Sequence, residues 1–533
     1  MGHSERWACL GPADRLAEQG RQLFKHQGRH IAVFRTPAGL FACNNRCPHE
    51  GYPLIEGSIR DDCRLTCNWH SWTFDLTDGS ALVGRDPVRV YPVALRDGAV
   101  WADLADPPVE ARRARAFGEL DEALEDHDYA RLARALCRLD KADVPAGAAI
   151  RRALDWSAER LEDGISHAHA AAADWLALAD RPGLDEAVGD ADTARLVPVL
   201  EILGHLSWDV RFSRAHPFPA GQAPFEQAAF LDAIERQDEA AAMAQVRGAF
   251  AAGLTFADLE AALTTAALSH YLGFGHGLIY LYKVRQLIER MGEDVAPVLT
   301  IMLVRYLTVA SREDLIPEFR GYADALAAWD PDQRGPLVPE ELVGQSVRAA
   351  LALTLKAAGD TDRLFEVLLT AAALNLVAFD DTVQTRIDQP ISHNVGWLDF
   401  THAITFANAV RAQCTRHPQL WPAGLLQMAC FIGRNAGFIR RDGDWSAWLP
   451  DGGSQWLDAA LAGLLNHQER DYIFSAHLLK TLSAIGEECR AARRAHTAPA
   501  LLAAGHRLMS GPIRRKFPAR TALQAARAVA LED

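Results

Sequence analysis

Four residues able to bind metal stand in two short clips, Cys47-Pro48-His49 and Cys67-Asn68-Trp69-His70, with 17 residues between them. Each clip offers one thiolate sulfur and one imidazole nitrogen. Such a set suits a tetrahedral zinc ion. It also suits a two-iron cluster in which the cysteines hold one iron and the histidines the other. The neighbouring residues favour the cluster. Pro48 stiffens the first clip through its fixed φ, and Gly51 permits a tight turn beside the metal. Trp69, Trp72 and Phe74 supply apolar cover against solvent.

Further histidines recur from residue 167 onward. Ser166-His167, Ser269-His270 and Ser392-His393 each precede a helical run, and Ser475-Ala476-His477 is similar. His169, His276 and His402 follow them. Asp163 and His167, four apart, would share one helix face, as would Asp399 and His402, three apart. On an unbroken helix His270 and His276 would point roughly 240° apart. They converge only if Gly273, Gly275 and Gly277 interrupt that helix.

Two readings of these residues are open. In the first, histidines and a carboxylate from several helices hold a metal inside a bundle. Two histidines and one carboxylate with open positions suit non-haem iron(II) and dioxygen. The ligand candidates are then Glu162, Asp163, His167, His270, His276, His393 and His402, with His167, His270 and His402 as the catalytic candidates. In the second, the aspartates cap helices and the histidines satisfy buried backbone groups. Tyr271, Tyr280, Tyr282, Trp397 and Phe400 suit a pocket lining or a packed core.

The elements that carry these residues fall into two kinds. A chain of 533 residues exceeds what one core holds, so a multidomain protein is expected. Residues 7–104 read as short strands between turns, among them Ile31 to Arg35, Arg64 to Thr66 and Val88 to Val93. Asp78-Gly79 and Asp97-Gly98 are hairpin signals. Asp106-Pro107-Pro108 opens a linker expected at 105–118. From residue 119 to the end alanine and leucine dominate at helical spacing, as in Ala229 to Arg236, Leu342 to Ala358 and Ala460 to Leu465. The expected architecture is an all-β N-terminal domain over 1–104 followed by a large all-α domain over 119–533.

Charge and composition narrow the partners. The net charge is −14, and residues 1–104 hold 12 basic and 12 acidic side chains, so the helical part carries all of it. That balance disfavours nucleic acid and anionic membranes. The basic run Arg514-Arg515-Lys516 reads as a solvated face. No uninterrupted run of ~18 apolar residues occurs, and the best, Val295 to Ala310, is broken by Arg305. A cytoplasmic protein without a membrane span is expected. Gly273-x-Gly275-x-Gly277 lacks a preceding strand, so no nicotinamide or flavin site is expected. Electrons would come from an external reductase or ferredoxin.

The boxes Cys47-Pro48-His49-x-Gly51 and Cys67-x-x-His70-x-Trp72-x-Phe74 resemble the Rieske 2Fe–2S family over roughly residues 5 to 104. The resemblance implies an all-β sandwich with the cluster at one end. It implies that Cys47 and Cys67 ligate the inner iron, and His49 and His70 the outer one. Cys43 and Cys63 precede the ligands, unlike the disulfide cysteines of respiratory Rieske proteins, and are expected to be reduced strand residues. The helical remainder is faintly similar to the helical proteins grouped with fungal questin oxidase. Ring-hydroxylating Rieske oxygenases carry Asp-x-x-His-x(3,4)-His; Asp399 and His402 match its first half, but no histidine follows at 406 or 407. With the histidines of the helical part, the expected function is oxidation of a small organic substrate with dioxygen at a second, non-haem iron or other transition metal. A Rieske electron-transfer or redox-sensing domain fused to a helical binding module is the alternative.

Overall fold

The computed structural model describes residues 7–441, 443–513 and 516–531. Arg514 and Arg515 of the basic run lie outside them, as do the first six residues of the expected 1–104 domain. The chain divides into two compact units, Met1–Glu119 and Leu120–Asp533.

The first unit is antiparallel β, as its turn signals require. Trp7–Pro12, Val93–Arg96 and Ala99–Asp103 form one sheet. Arg21–His26, Arg29–Thr36, Gly39–Asn44 and Val90–Tyr91 form a second. Ser58–Ile59, Arg64–Thr66, Thr73–Asp75 and Ala81–Val83 form a third. Strand Arg29–Thr36 shows why one apolar run serves two cores. Side chains alternate across a strand, so Ala32 and Phe34 enter the core beneath Cys47 and Cys67, while Ile31 and Val33 enter a second core with Phe24 and Val100. Asp97 and Gly98 both take positive φ, 50° and 76°, as a two-residue hairpin turn demands.

The stretch expected as a linker, 105–118, takes in the start of a helix, Val109–Asp126, directly after the two prolines. Proline is well placed ahead of a helix, where its missing N–H costs nothing. Cys43 is a buried, free strand residue, but Cys63 lies in a turn at φ 67° rather than in a strand.

The second unit is helical. Four of its helices, His167–Ala179, His276–Met291, Trp397–Arg416 and Tyr472–Ala491, pack in a closed ring, each against two of the others. Their apolar faces are nearly continuous, which suits a helix surrounded by others. No helix among the described residues is long and apolar enough to cross a membrane.

Candidate metal centres

The two clips of the β unit have the same backbone geometry. Cys47 N–H donates to the Tyr52 carbonyl at 2.9 Å, and Gly51 N–H returns to the Cys47 carbonyl at 2.8 Å. Cys67 N–H donates to Trp72 at 2.7 Å, and Ser71 N–H to Cys67 at 3.0 Å. Each loop closes through a left-handed residue four positions after its cysteine, Gly51 at φ 78° and Ser71 at φ 60°. The sulfurs are buried side by side, and backbone N–H groups of His49 and Glu50 point at the Cys47 sulfur. Burial, with Cys67 adjacent, pushes the Cys47 thiol up to about 11. Nearby iron would reverse that preference by stabilising thiolate.

The histidines complete a set that fits a 2Fe–2S cluster. The His49 and His70 rings lie 4.7 Å apart. His49 Nδ1 is buried and has no hydrogen-bond partner, as a metal-ligating nitrogen would. Trp72 stacks on His49 at 4.7 Å and 13°. Gly84 makes room for it, since a Cβ there would fall 2.3 Å from the Trp72 ring. The expected cover is only partly realised. Phe74 is buried, but Trp69 is 56% exposed while stacked on His70.

The helical ring brings together a second cluster of residues that could hold a metal. His167, His276, His402 and His477 bring one nitrogen each within 4.8 Å of all the others. Their Nε2 atoms are 3.0 Å apart between His167 and His276, 2.9 Å between His276 and His402, and 3.4 Å between His402 and His477. Metal–nitrogen bonds of ~2.0–2.1 Å at angles of roughly 90–110° would space their nitrogens ~2.9–3.4 Å. These three neighbouring spacings match those of imidazole nitrogens around one transition-metal ion.

Their protonation points the same way. His276, His402 and His477 donate Nδ1–H to the carbonyls of Gly273, Leu398 and Ile473, each at 2.6 Å. A carbonyl only accepts, so the neutral tautomer is fixed with the Nε2 lone pair facing inward. Burial holds all four histidines well below the usual imidazole range, with the Lys480 charge adding to it, and takes His276 to about 3. They are neutral at neutral pH. Three lone pairs thus face one another with no proton between them. Lys480, one turn beyond His477 and buried, is itself lowered by desolvation to about 7.

Of the expected ligands, the fold joins His167, His276 and His402. His276 arrives because Gly273, Phe274 and Gly275 all take positive φ and break the helix ahead of it. Against Gly275 the Phe406 ring leaves only 2.6 Å for a Cβ. The break sends His270 elsewhere, to Asp314 at 2.8 Å and Glu235 at 2.9 Å. His393 is exposed against Phe438. Glu162 and Asp163 are exposed in a turn before the helix begins, so Asp163 shares no helix face with His167. Asp399 caps its own helix through Gly396 N–H at 2.9 Å and pairs with Arg434. Among the described residues no carboxylate joins the four histidines. His477 belongs to the centre, although only its resemblance to the Ser-His echo pointed to it. Of the aromatic candidates, Tyr280 touches His167 and His276. Tyr282 binds Glu487, and Trp397 and Phe400 pack on Phe379.

Residues 6–92 match a family model described as Rieske [2Fe-2S] domain. The chain is 32% identical over 113 residues to a 4beta-methylsterol monooxygenase of Methylococcus capsulatus, covering 19% of this chain and 30% of that protein. It is 35% identical over 78 residues to the 3-phenylpropionate/cinnamic acid dioxygenase ferredoxin subunit of Escherichia coli K12, covering 14% of this chain and 74% of that subunit. The solved ferredoxin of carbazole 1,9a-dioxygenase from Nocardioides aromaticivorans is similar at 24% identity and TM-score 0.17, over 18% of this chain and 95% of that one. The chain thus spans less than a third of the sterol monooxygenase's length.

Proposed function

We propose a function from one premise: this chain belongs, through residues 6–92, to the Rieske 2Fe–2S family. Its β unit carries electrons singly from an external reductase or ferredoxin. Its helical unit binds a non-haem transition metal through histidines and oxidises a small organic substrate with dioxygen. The observation that carries this reading is the trio of inward Nε2 lone pairs on His276, His402 and His477, none of which has a proton to offer the other two. Two relatives, a monooxygenase and a dioxygenase ferredoxin subunit, support the reaction class.

Bound at these nitrogens, a redox-active metal would supply dioxygen activation. The residues of the chain do the rest. The carbonyls of Gly273, Leu398 and Ile473 orient three imidazoles and keep their ligating nitrogens unprotonated. His402 and His477 are buried, while His167 and His276 are partly exposed, so approach to the centre is from the side of those two. Tyr280, buried, lies against both rings. Lys480 Nζ can hold or release a proton near neutrality. An all-nitrogen set replaces the two-histidine, one-carboxylate set expected from the sequence.

The test uses the full chain with Cys47→Ser and Cys67→Ser, which removes the cluster irons. One equivalent of iron, manganese or another transition metal should remain. Dioxygen uptake by wild-type chain given a reductase and candidate substrates should require both centres. A cluster-free chain that holds no metal under any loading condition sinks the reading.

A further inference from the structure

Three of the four helical histidines share one hydrogen-bonding arrangement, and the fourth departs from it. His276, His402 and His477 are each locked by a carbonyl at 2.6 Å. His167 Nδ1 instead faces the Tyr280 hydroxyl at 3.1 Å, a group that both donates and accepts. His167 Nε2 lies 3.0 Å from His276 Nε2, which has no proton to give. The arrangement that satisfies both contacts runs one way. Tyr280 O–H donates to His167 Nδ1, and His167 Nε2–H donates to His276 Nε2. In that tautomer His167 cannot ligate a metal. To ligate, its proton must leave Nε2 for Nδ1, and Tyr280 must turn from donor to acceptor.

Position separates two of the four from the others: His402 and His477 sit six residues into their helices and are buried, whereas His167 and His276 are each the first residue of a helix and partly exposed. Of that pair, only His167 lacks a carbonyl to lock its ring. Displacing its ring opens the site without disturbing a packed helix interior.

We propose that the centre is built as three plus one. His276, His402 and His477 are permanent ligands. His167 is an exchangeable ligand, and the coordination position it vacates is where a small exogenous ligand enters. Tyr280 is the positioning residue that stabilises the vacated state. This rests on the metal-binding reading above and adds to it which position opens.

The test uses chelator-stripped full chain, cobalt(II) as the metal probe and azide as the exogenous ligand. Cobalt(II) affinity is read by chelator competition, and azide binding from the cobalt visible spectrum. His276→Ala, His402→Ala and His477→Ala should each weaken cobalt(II) binding by more than about a hundredfold, whereas His167→Ala should weaken it by less than about tenfold. His167→Asn, closer in size, guards against a folding defect. Azide should bind His167→Ala at least about tenfold more tightly than wild type, because in wild type it binds only the fraction of molecules with the position open. If both His167 variants lose cobalt(II) as the other three do, the proposal falls while the metal site stands. Unchanged azide affinity in a cobalt-loaded His167 variant overturns it too. Wild type that binds no cobalt(II) removes the metal-binding reading and this proposal together.

Discussion

His276 Nε2 and His402 Nε2 lie 2.9 Å apart, and the opposite nitrogen of each ring is committed to a backbone carbonyl. Two lone pairs at that distance repel unless a cation stands between them. A metal therefore should stabilise the helical unit. Saturating metal at a hundred times its dissociation constant should add about 2.7 kcal/mol to folding. Thermal unfolding with and without metal checks this, and His402→Ala should abolish the difference.

The pH dependence of the metal-free chain has a definite sign. All four histidines titrate below the ordinary imidazole value when folded. Below about pH 6.5 the unfolded chain binds protons that the folded chain does not, so stability falls as pH falls, by up to ~1.4 kcal/mol per pH unit for each histidine. Above that pH the contribution is flat. Denaturant titrations between pH 4.5 and 8 on chelated protein should show a shallower acid loss in the His402→Gln/His477→Gln variant.

His270 should behave in the opposite way. Its bonds to Asp314 and Glu235 raise its folded value, Asp314 contributing most. That contribution is fully present below pH 6.5 and is lost as pH rises through the folded value. His270→Gln should lower stability at pH 6 more than at pH 9 and leave metal content unchanged. Loss of the helical metal in this variant would contradict its structural role.

In the β unit, Gly84→Ala should displace Trp72 from His49, because the added methyl meets the indole and the backbone sits at φ 104°. Overpacking of this kind costs ~1–3 kcal/mol. The Rieske circular-dichroism bands should change while the helical metal stays bound. Unaltered bands would show that Trp72 does not constrain His49.

Much of this was legible in the sequence, for physical reasons. Cys47, His49, Cys67 and His70 could be read because their ligand geometry is local, set by two short turns. The β-to-α change could be read because residue spacing reports it directly. The helical centre was harder. Its ligands come from four helices spread over some 310 residues, and spacing within one helix says nothing of where the others stand. His276 was chosen over His270 by a glycine-rich break that the sequence showed without revealing its direction. Asp399 resembled a ligand because a capping aspartate and a ligating one occupy the same position in a helical pattern. His477 carries the Ser-His signature in altered form, with alanine between, and its burial became visible only in three dimensions.

The central claim is best tested by X-ray absorption at the metal edge of the Cys47→Ser/Cys67→Ser full chain. Three or four imidazole nitrogens at ~2.0–2.2 Å, with no sulfur in the first shell, is the predicted result. A sample without metal, or one whose metal is held by sulfur or chiefly by carboxylate oxygen, would contradict the account.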